Sequence, residues 1–329
     1  MRRREFATLI AALSATPLLP PLRASAQQSA MPVVGFLSAR APSSDAHLAQ
    51  AFSRGLAESG RIENQNVVVE FRWAQGQPDR VPGLLADLMR RVSVIFVGGG
   101  DAEVGIVRAA VSALPLVFAV GGDPVQQGLV ASLGRPGGNA TGVSVITGEL
   151  WPKRLELLRE LVPGATRIGL LVNPTHPSTP PTTKDVQAAA GAARLDLLVL
   201  HAVTESDLDI AFSSAVAQRL DGLLVMNAPL FFTRREQLVA RVARHEIPAI
   251  YDRREFVEAG GLISYGASII DQYRQSGIYV GRVLNGVKPS DLPVLQPTIF
   301  ELAISLKAAK PLGIVVPPSI LLRADEVIE

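Results

Sequence analysis

Short runs of valine, isoleucine and leucine recur along this chain, separated by longer amphipathic stretches, and nothing else in it constrains the fold as tightly. The runs are Val33–Leu37, Val67–Phe71, Val94–Val97, Leu116–Val120, Ile168–Val172, Leu197–Leu200, Gly222–Met226 and Ala249–Tyr251. They do not alternate apolar with polar residues. That predicts strands buried on both faces, as in a parallel sheet covered by helices. The stretches between them, Asp45–Ser59, Arg80–Arg91, Ala102–Ser112, Leu150–Leu161, Thr183–Arg194, Glu205–Arg219 and Arg234–His245, have helical spacing. Strand, helix, strand repeated this often predicts an open α/β architecture.

The series runs twice. One set covers about residues 32–145, and a second begins near Arg167, after the helix Leu150–Leu161. Between them lies the glycine-rich stretch Gly134–Gly142, read as the edge of a first lobe. A length of 329 residues is room for about two domains. Two α/β lobes imply a cleft between them, and ligands of open α/β sheets bind beyond the carboxyl ends of the strands.

The N-terminus reads as an export signal over residues 1–26. Arg2, Arg3 and Arg4 precede the apolar run Phe6–Leu19, too short to span a bilayer, and Ala24-Ser25-Ala26 has the small-x-small pattern of a cleavage site. Arg3-Arg4-Glu5-Phe6 also fits the core of a twin-arginine signal. The chain carries +2, and removing that segment's four arginines and one glutamate leaves −1. A near-neutral mature protein gives no electrostatic reason to expect nucleic acid or anionic lipid as a partner. No later stretch has 18 uninterrupted apolar residues, so a soluble exported protein is expected.

Catalytic signatures are missing. With no cysteine, thiol catalysis and iron–sulfur clusters are excluded, and His47, His176, His201 and His245 are dispersed. No metal site, cofactor or catalytic residue is therefore assigned. The run Gly98-Gly99-Gly100-Asp101-Ala102-Glu103 starts like a dinucleotide loop, but Glu103 stands in the place of the third glycine. What remains is the strand-to-helix loops: Ser38, Gly99 and Gly100, Gly122 and Asp123, Asn173, Asn227, Tyr251 and Tyr265. Glycine admits a ligand close to the backbone, and a helix starting just beyond offers free N–H groups to an anion. Each loop also has a plainer reading. Asp123 before Pro124 is a standard helix cap, Asn173-Pro174 and Asn227-Ala228-Pro229 suit turns, and Tyr251 suits the core.

Four stretches carry a family likeness: Phe118–Val125, Gly128–Ser144, Arg254–Gly266 and Leu322–Glu329. Through them the chain resembles exported substrate-binding proteins of ABC transporters, in the TrpX-related group, over nearly all of Met31–Glu329. The resemblance implies a type I periplasmic-binding fold, two Rossmann-like lobes joined by a hinge of three crossovers. Lobe one would comprise 31–146 plus about 269–285, and lobe two 147–268 plus about 286–329. That places Ile269–Leu284 on lobe one and Phe300–Ala309 on lobe two; periodicity shows the helices but not the return. The family's ligand loops map onto Ser38, Gly99, Gly100, Gly122, Asp123, Asn173, Asn227, Tyr251 and Tyr265. Many relatives carry Asp where this chain has Ala228, so an amino group would fall to Asp123 or Asp252, or the ligand is not an amino acid. The implied function is capture of a small molecule, an amino acid or related carboxylate, by a monomer that docks an ABC permease in the inner membrane. A periplasmic sensor subunit is the alternative, and an exported α/β hydrolase would need a nucleophile–base pair that the motifs do not supply.

Overall fold

The structure, a computed structural model, describes residues 31–145 and 150–329. The expected export signal lies outside the described residues. So does the expected lobe boundary at 146–147. Pro32–Glu329 is one compact unit.

The first series builds a five-stranded parallel sheet. Its elements are β1 (Val33–Ser38), α1 (Pro42–Glu58), β2 (Val68–Trp73), α2 (Val81–Met89), β3 (Val94–Gly98), α3 (Asp101–Ala110), β4 (Leu116–Val120) and β5 (Ala140–Ser144). The strand order is β2-β1-β3-β4-β5. Every residue of β3 and β4 is buried, because successive side chains enter opposite cores. Leu37, Ile95, Val97, Leu116 and Phe118 pack on the α2–α3 side. Val34, Phe36, Val94, Phe96 and Val117 pack on the other. That second core is aromatic, with Phe36 5.1 Å from Phe52 and 5.0 Å from Phe96 between ring centroids. The glycine-rich stretch read as a lobe edge runs into β5 at Ala140, so the edge is itself a strand.

The second series builds a seven-stranded sheet. It contains α4 (Trp151–Leu161), β6 (Arg167–Val172), α5 (Thr179–Ala192), β7 (Asp196–His201), α6 (Glu205–Ala217), β8 (Gly222–Val225), α7 (Pro229–Thr233), α8 (Arg235–Arg244), β9 (Ala249–Tyr251), α9 (Arg254–Glu258) and β10 (Ile263–Ala267). Thr204 and Asp207 form a reciprocal cap that starts α6. The chain then supplies α10 (Ile269–Leu284), β11 (Phe300–Ser305), α11 (Leu306–Ala309), α12 (Pro318–Leu321) and β12 (Glu326–Ile328). The order is β12-β11-β10-β9-β8-β6-β7, parallel except where β11 meets β10 antiparallel. Phe300–Ala309 therefore divides into a strand and one helical turn. Ser305 makes the break, its hydroxyl accepting from the Ala308 N–H at 3.1 Å.

After β10 the chain returns to the first sheet. Ser268 caps α10 by accepting from the Asp271 N–H at 3.2 Å. The helix lies on α1, and glycine makes the contact close. A methyl group added at Gly277 would sit 2.1 Å from the Phe52 carbonyl oxygen, and one at Gly55 would sit 1.8 Å from the Arg274 carbonyl oxygen. The following segment also stays on lobe one, which corrects the expectation that 286 onward lies on lobe two. Leu295 donates to the Gly142 carbonyl and accepts from the Ser144 N–H, both at 2.9 Å, and Thr141 Oγ1 donates to the Leu292 carbonyl at 2.7 Å. The backbone groups on the open edge of β5 thus find partners before the chain leaves for β11. The chain passes between the sheets three times: after β5, between Ala267 and Ile269, and between Leu295 and Phe300.

Two predictions follow from this packing. Gly277→Val forces α10 off α1 and costs about 1–3 kcal/mol, read as a Tm lowered by several degrees. An unchanged Tm would show that the helices can part freely. Each lobe also buries a tyrosine, Tyr251 and Tyr273, whose ionisation burial opposes; Tyr273 is pushed up to about 12. An unfolded tyrosine ionises near 10. Stability is therefore complete below about pH 10 and is lost as pH rises from there toward 12. Chemical denaturation across pH 8–12 should show that fall, and Tyr273→Phe should make it shallower while Tyr251 keeps its share.

Candidate functional site

The carboxyl ends of both sheets open on one cavity of about 420 Å³, within the usual range for a small-molecule site. Lobe one contributes Arg40 after β1, Gly99 to Glu103 after β3, and Tyr273 of α10. Lobe two contributes Trp151 and Arg154 of α4, His176 after β6, Asn227 after β8, Phe232 of α7, and Asp252 and Arg253 after β9.

Arginines dominate the chemistry. Arg154 is 1% exposed. Its Nε donates to the Tyr265 carbonyl at 2.7 Å and its guanidinium lies 4.6 Å from the Trp151 ring centroid. Burial pulls its pKa down to about 10 against the opposing pull of Asp252. The Arg253 side chain is 8% exposed; its Nε donates to Asp252 Oδ2 at 3.0 Å and its Nη2 to Asn227 Oδ1 at 3.1 Å. Burial works against that charge too, but Asp252 and Glu255 outweigh it and the pKa stays above the ordinary arginine value. Arg40, from the other lobe, lies 3.5 Å from Asp45. The Nη1 atoms of Arg40, Arg154 and Arg253, and Trp151 Nε1, have no hydrogen-bond partner among the described residues.

Phe232 gathers the cations. The guanidiniums of Arg40, Arg253 and Arg235 lie 4.5, 4.8 and 5.2 Å from its ring centroid. The face of the ring attracts each of them, while the like charges repel one another. An acceptor-rich anion entering here meets donors from both lobes.

The wall also holds acids. Asp101 Oδ1 accepts from the Gly121 N–H at 2.8 Å and Oδ2 from Gln127 Nε2 at 2.7 Å. Glu103 is 7% exposed, and burial, with Asp101 adding, raises its pKa against the weaker pull of its own N–H and of Arg40. His176 accepts from the Ser178 N–H through Nδ1 at 3.2 Å. Burial lowers its pKa and Asp101 opposes the shift.

Of the residues expected at the ligand, Gly99, Gly100 and Asn227 line the cavity. Gly99 has φ +96°, a left-handed backbone that glycine suits. The other six lie outside the lining. Ser38 is buried and accepts from the Arg40 N–H at 3.2 Å. The Gly122 carbonyl accepts from Ser144 Oγ at 2.8 Å. Asp123 Oδ1 accepts from the Val125 and Gln126 N–H groups at 2.8 and 3.3 Å, and Asn173 Oδ1 from Thr175 N–H and Oγ1 at 3.0 and 2.8 Å. Asp123 closes a turn over residues 124–128 and no helix follows it, which corrects the helix-cap reading, while Asn173 closes a turn as expected. Tyr251 is fully buried, stacked 4.7 Å from Phe256, and Tyr265 stacks 6.1 Å from Phe300.

The sequence reading did not single out Arg40, Arg154, Arg253, Glu103 or Phe232 for the site. One signal was available. Trp151, Arg154, Leu155 and Leu158 share the buried stripe of α4, and an arginine on an apolar stripe needs a partner. Among the described residues, no helix is long and apolar enough to cross a membrane. None of their His, Asp and Glu side chains form a group of three suited to a metal.

Comparisons with known proteins agree with the two-lobed α/β fold. The tyrosine-binding protein of Clostridioides difficile (strain R20291) is 25% identical over 270 residues, spanning 80% of this chain and 75% of that one. A Streptococcus pneumoniae ABC domain solved in complex with L-Trp superposes with a TM-score of 0.82 at 24% identity, covering 90% of this chain and 99% of that one. A conserved domain protein from Vibrio cholerae O1 biovar El Tor gives 0.82 at 23% identity with the same coverage. The model of the ABC transporter substrate binding protein family matches residues 33–328, and the chain belongs to that family.

Proposed function

We propose that this substrate-binding protein works in the periplasm after export and, as a monomer, captures a carboxylate-bearing small molecule, an amino acid or a close relative. It then hands that solute, chemically unchanged, to an inner-membrane ABC permease. One observation carries the choice of ligand: arginines from both lobes border a single cavity, each with a buried Nη1 that has no hydrogen-bond partner among the described residues. Arg40 belongs to lobe one, and Arg154 and Arg253 to lobe two. The L-Trp held by the pneumococcal domain and the tyrosine named for the Clostridioides relative fit the same ligand class.

Closure follows from the electrostatics. Without an anion, bringing Arg40 toward Arg253 and Arg235 on Phe232 sets like charges together. A carboxylate between them turns that repulsion into charge-assisted hydrogen bonds available only when both lobes contribute. The permease then distinguishes loaded from empty protein by the relative position of the lobes.

A thermal-shift screen of the purified chain against amino acids and small organic acids should find a stabilising solute, by about 2.7 kcal/mol at a hundredfold excess over Kd. Calorimetry with that solute should show Arg154→Met weakening binding about ten- to a hundredfold, the loss of one charge-assisted bond. Arg40→Met, at a more exposed position, should weaken it in the same direction. Unchanged affinity in both variants would falsify the guanidinium site, and turnover of the bound solute would contradict a carrier.

A further inference from the structure

In the run Gly98-Gly99-Gly100-Asp101-Ala102-Glu103 the two acids have no role in solute capture as proposed, yet both line the cleft beside Gly99 and Gly100. Asp101 opens α3 and Glu103 follows within its first turn. The Glu103 carboxyl folds back over the start of the helix, close enough that a methyl group at Gly100 would meet its Oε2 at 2.1 Å. A buried carboxyl beside a second carboxyl is unfavourable unless a cation reaches it. Arg40 is the cation that faces it from lobe one, and Arg40 already stands by Asp45. His176 faces Asp101 from lobe two.

The other acids that a ligand amine might use are committed elsewhere. Asp123 caps its own turn and does not line the cavity. Asp252 Oδ2 is held by Arg253. Ala228, before Pro229, has no carboxyl to offer. The acids of α3 do not stand alone as an indication of a ligand, because the same cavity is lined by the buried Arg154, with its unpartnered Nη1.

We propose that Glu103 forms the ammonium subsite of this cleft, with Asp101, whose oxygens Gly121 and Gln127 already hold, adding its charge beside it, so that the solute is a zwitterion with its amine on lobe one and its carboxylate on the guanidiniums. The assignment rests on the solute-capture reading. It makes the amine a second requirement for closure, since the negative subsite sits on the lobe opposite Arg154 and Arg253. Glu103 is thereby a specificity-determining residue, and helix capping alone gives it no influence on which solute is chosen.

The test compares matched pairs by calorimetry: L-tyrosine with 3-(4-hydroxyphenyl)propanoate, and L-tryptophan with indole-3-propanoate. The wild-type chain should bind at least one amino acid about ten- to a hundredfold more tightly than its des-amino partner. Glu103→Gln keeps the shape and removes the charge. It should collapse that ratio toward one while raising the Tm of the unliganded protein, because burial disfavours the ionised carboxyl. A wild-type ratio near one, with both members bound, overturns the ammonium subsite and leaves the carrier reading intact. A ratio unchanged in Glu103→Gln overturns it as well. If no member of either pair binds, and no acid in the thermal-shift screen does, the carrier reading and this assignment fall together.

Discussion

Three guanidiniums meet on one phenylalanine ring where the two lobes face each other, and the behaviour of the molecule depends on how that charge is offset. Arg40 comes from lobe one, and Arg253 and Arg235 from lobe two. A desolvated cation–π contact contributes about 2 kcal/mol. That is enough to hold a guanidinium in place but not to cancel several like charges in one cavity. Asp45 and Asp252 each neutralise one arginine. Arg154 has a carbonyl and an indole ring but, among the described residues, no carboxylate in contact. The remaining deficit is an acceptor, which the carboxylate of the proposed solute would supply. A cleft assembled this way couples the chemistry of its occupant to the distance between its lobes.

The rest of the fold positions those charges. Parallel strands deliver Arg40, Gly99 and Arg253 to the same edge, because every βα unit points its loop the same way. The return of α10 to lobe one places Tyr273 beneath the cavity and ties the hinge to α1 through glycines that admit backbone contact. The segment from Leu292 to Leu295 closes β5 before the last crossing. Neither lobe is assembled from one continuous stretch of chain, which makes the hinge a triple strand instead of a tether. Such a connection favours rotation of intact lobes over local unfolding.

Much of this was legible in the sequence. Apolar runs without alternation gave the buried strands, since burial on both faces leaves no position for a polar residue. The edge strand β7, partly exposed along most of its length, was found because Leu197–Leu200 is still apolar. Phe300–Ser305 was harder, as its apolar residues adjoin a helical turn and only Ser305 marks the boundary. At the cleft, glycine and asparagine at strand ends pointed to the right edge of the sheets. They did not separate residues that face the cavity, such as Gly99 and Asn227, from residues that cap their own turns, such as Asp123 and Asn173. That distinction depends on which N–H groups lie within reach. Arg154 required knowing that the buried stripe of α4, packed on the second sheet, has its N-terminal end at the cavity, and Phe232 matters only through what stacks on it.

The absence of cysteine from the sequence makes a distance measurement direct. Asp79→Cys on lobe one and Gln237→Cys on lobe two are exposed, near the cavity-lining Pro78 and Arg235, and both take spin labels. Electron–electron resonance on this doubly labelled chain, empty and saturated with the amino acid that stabilises it most, reads the lobe separation. The account predicts a longer, broader distribution without the amino acid and a short, narrow one with it. A distribution that the bound solute leaves unchanged would contradict it.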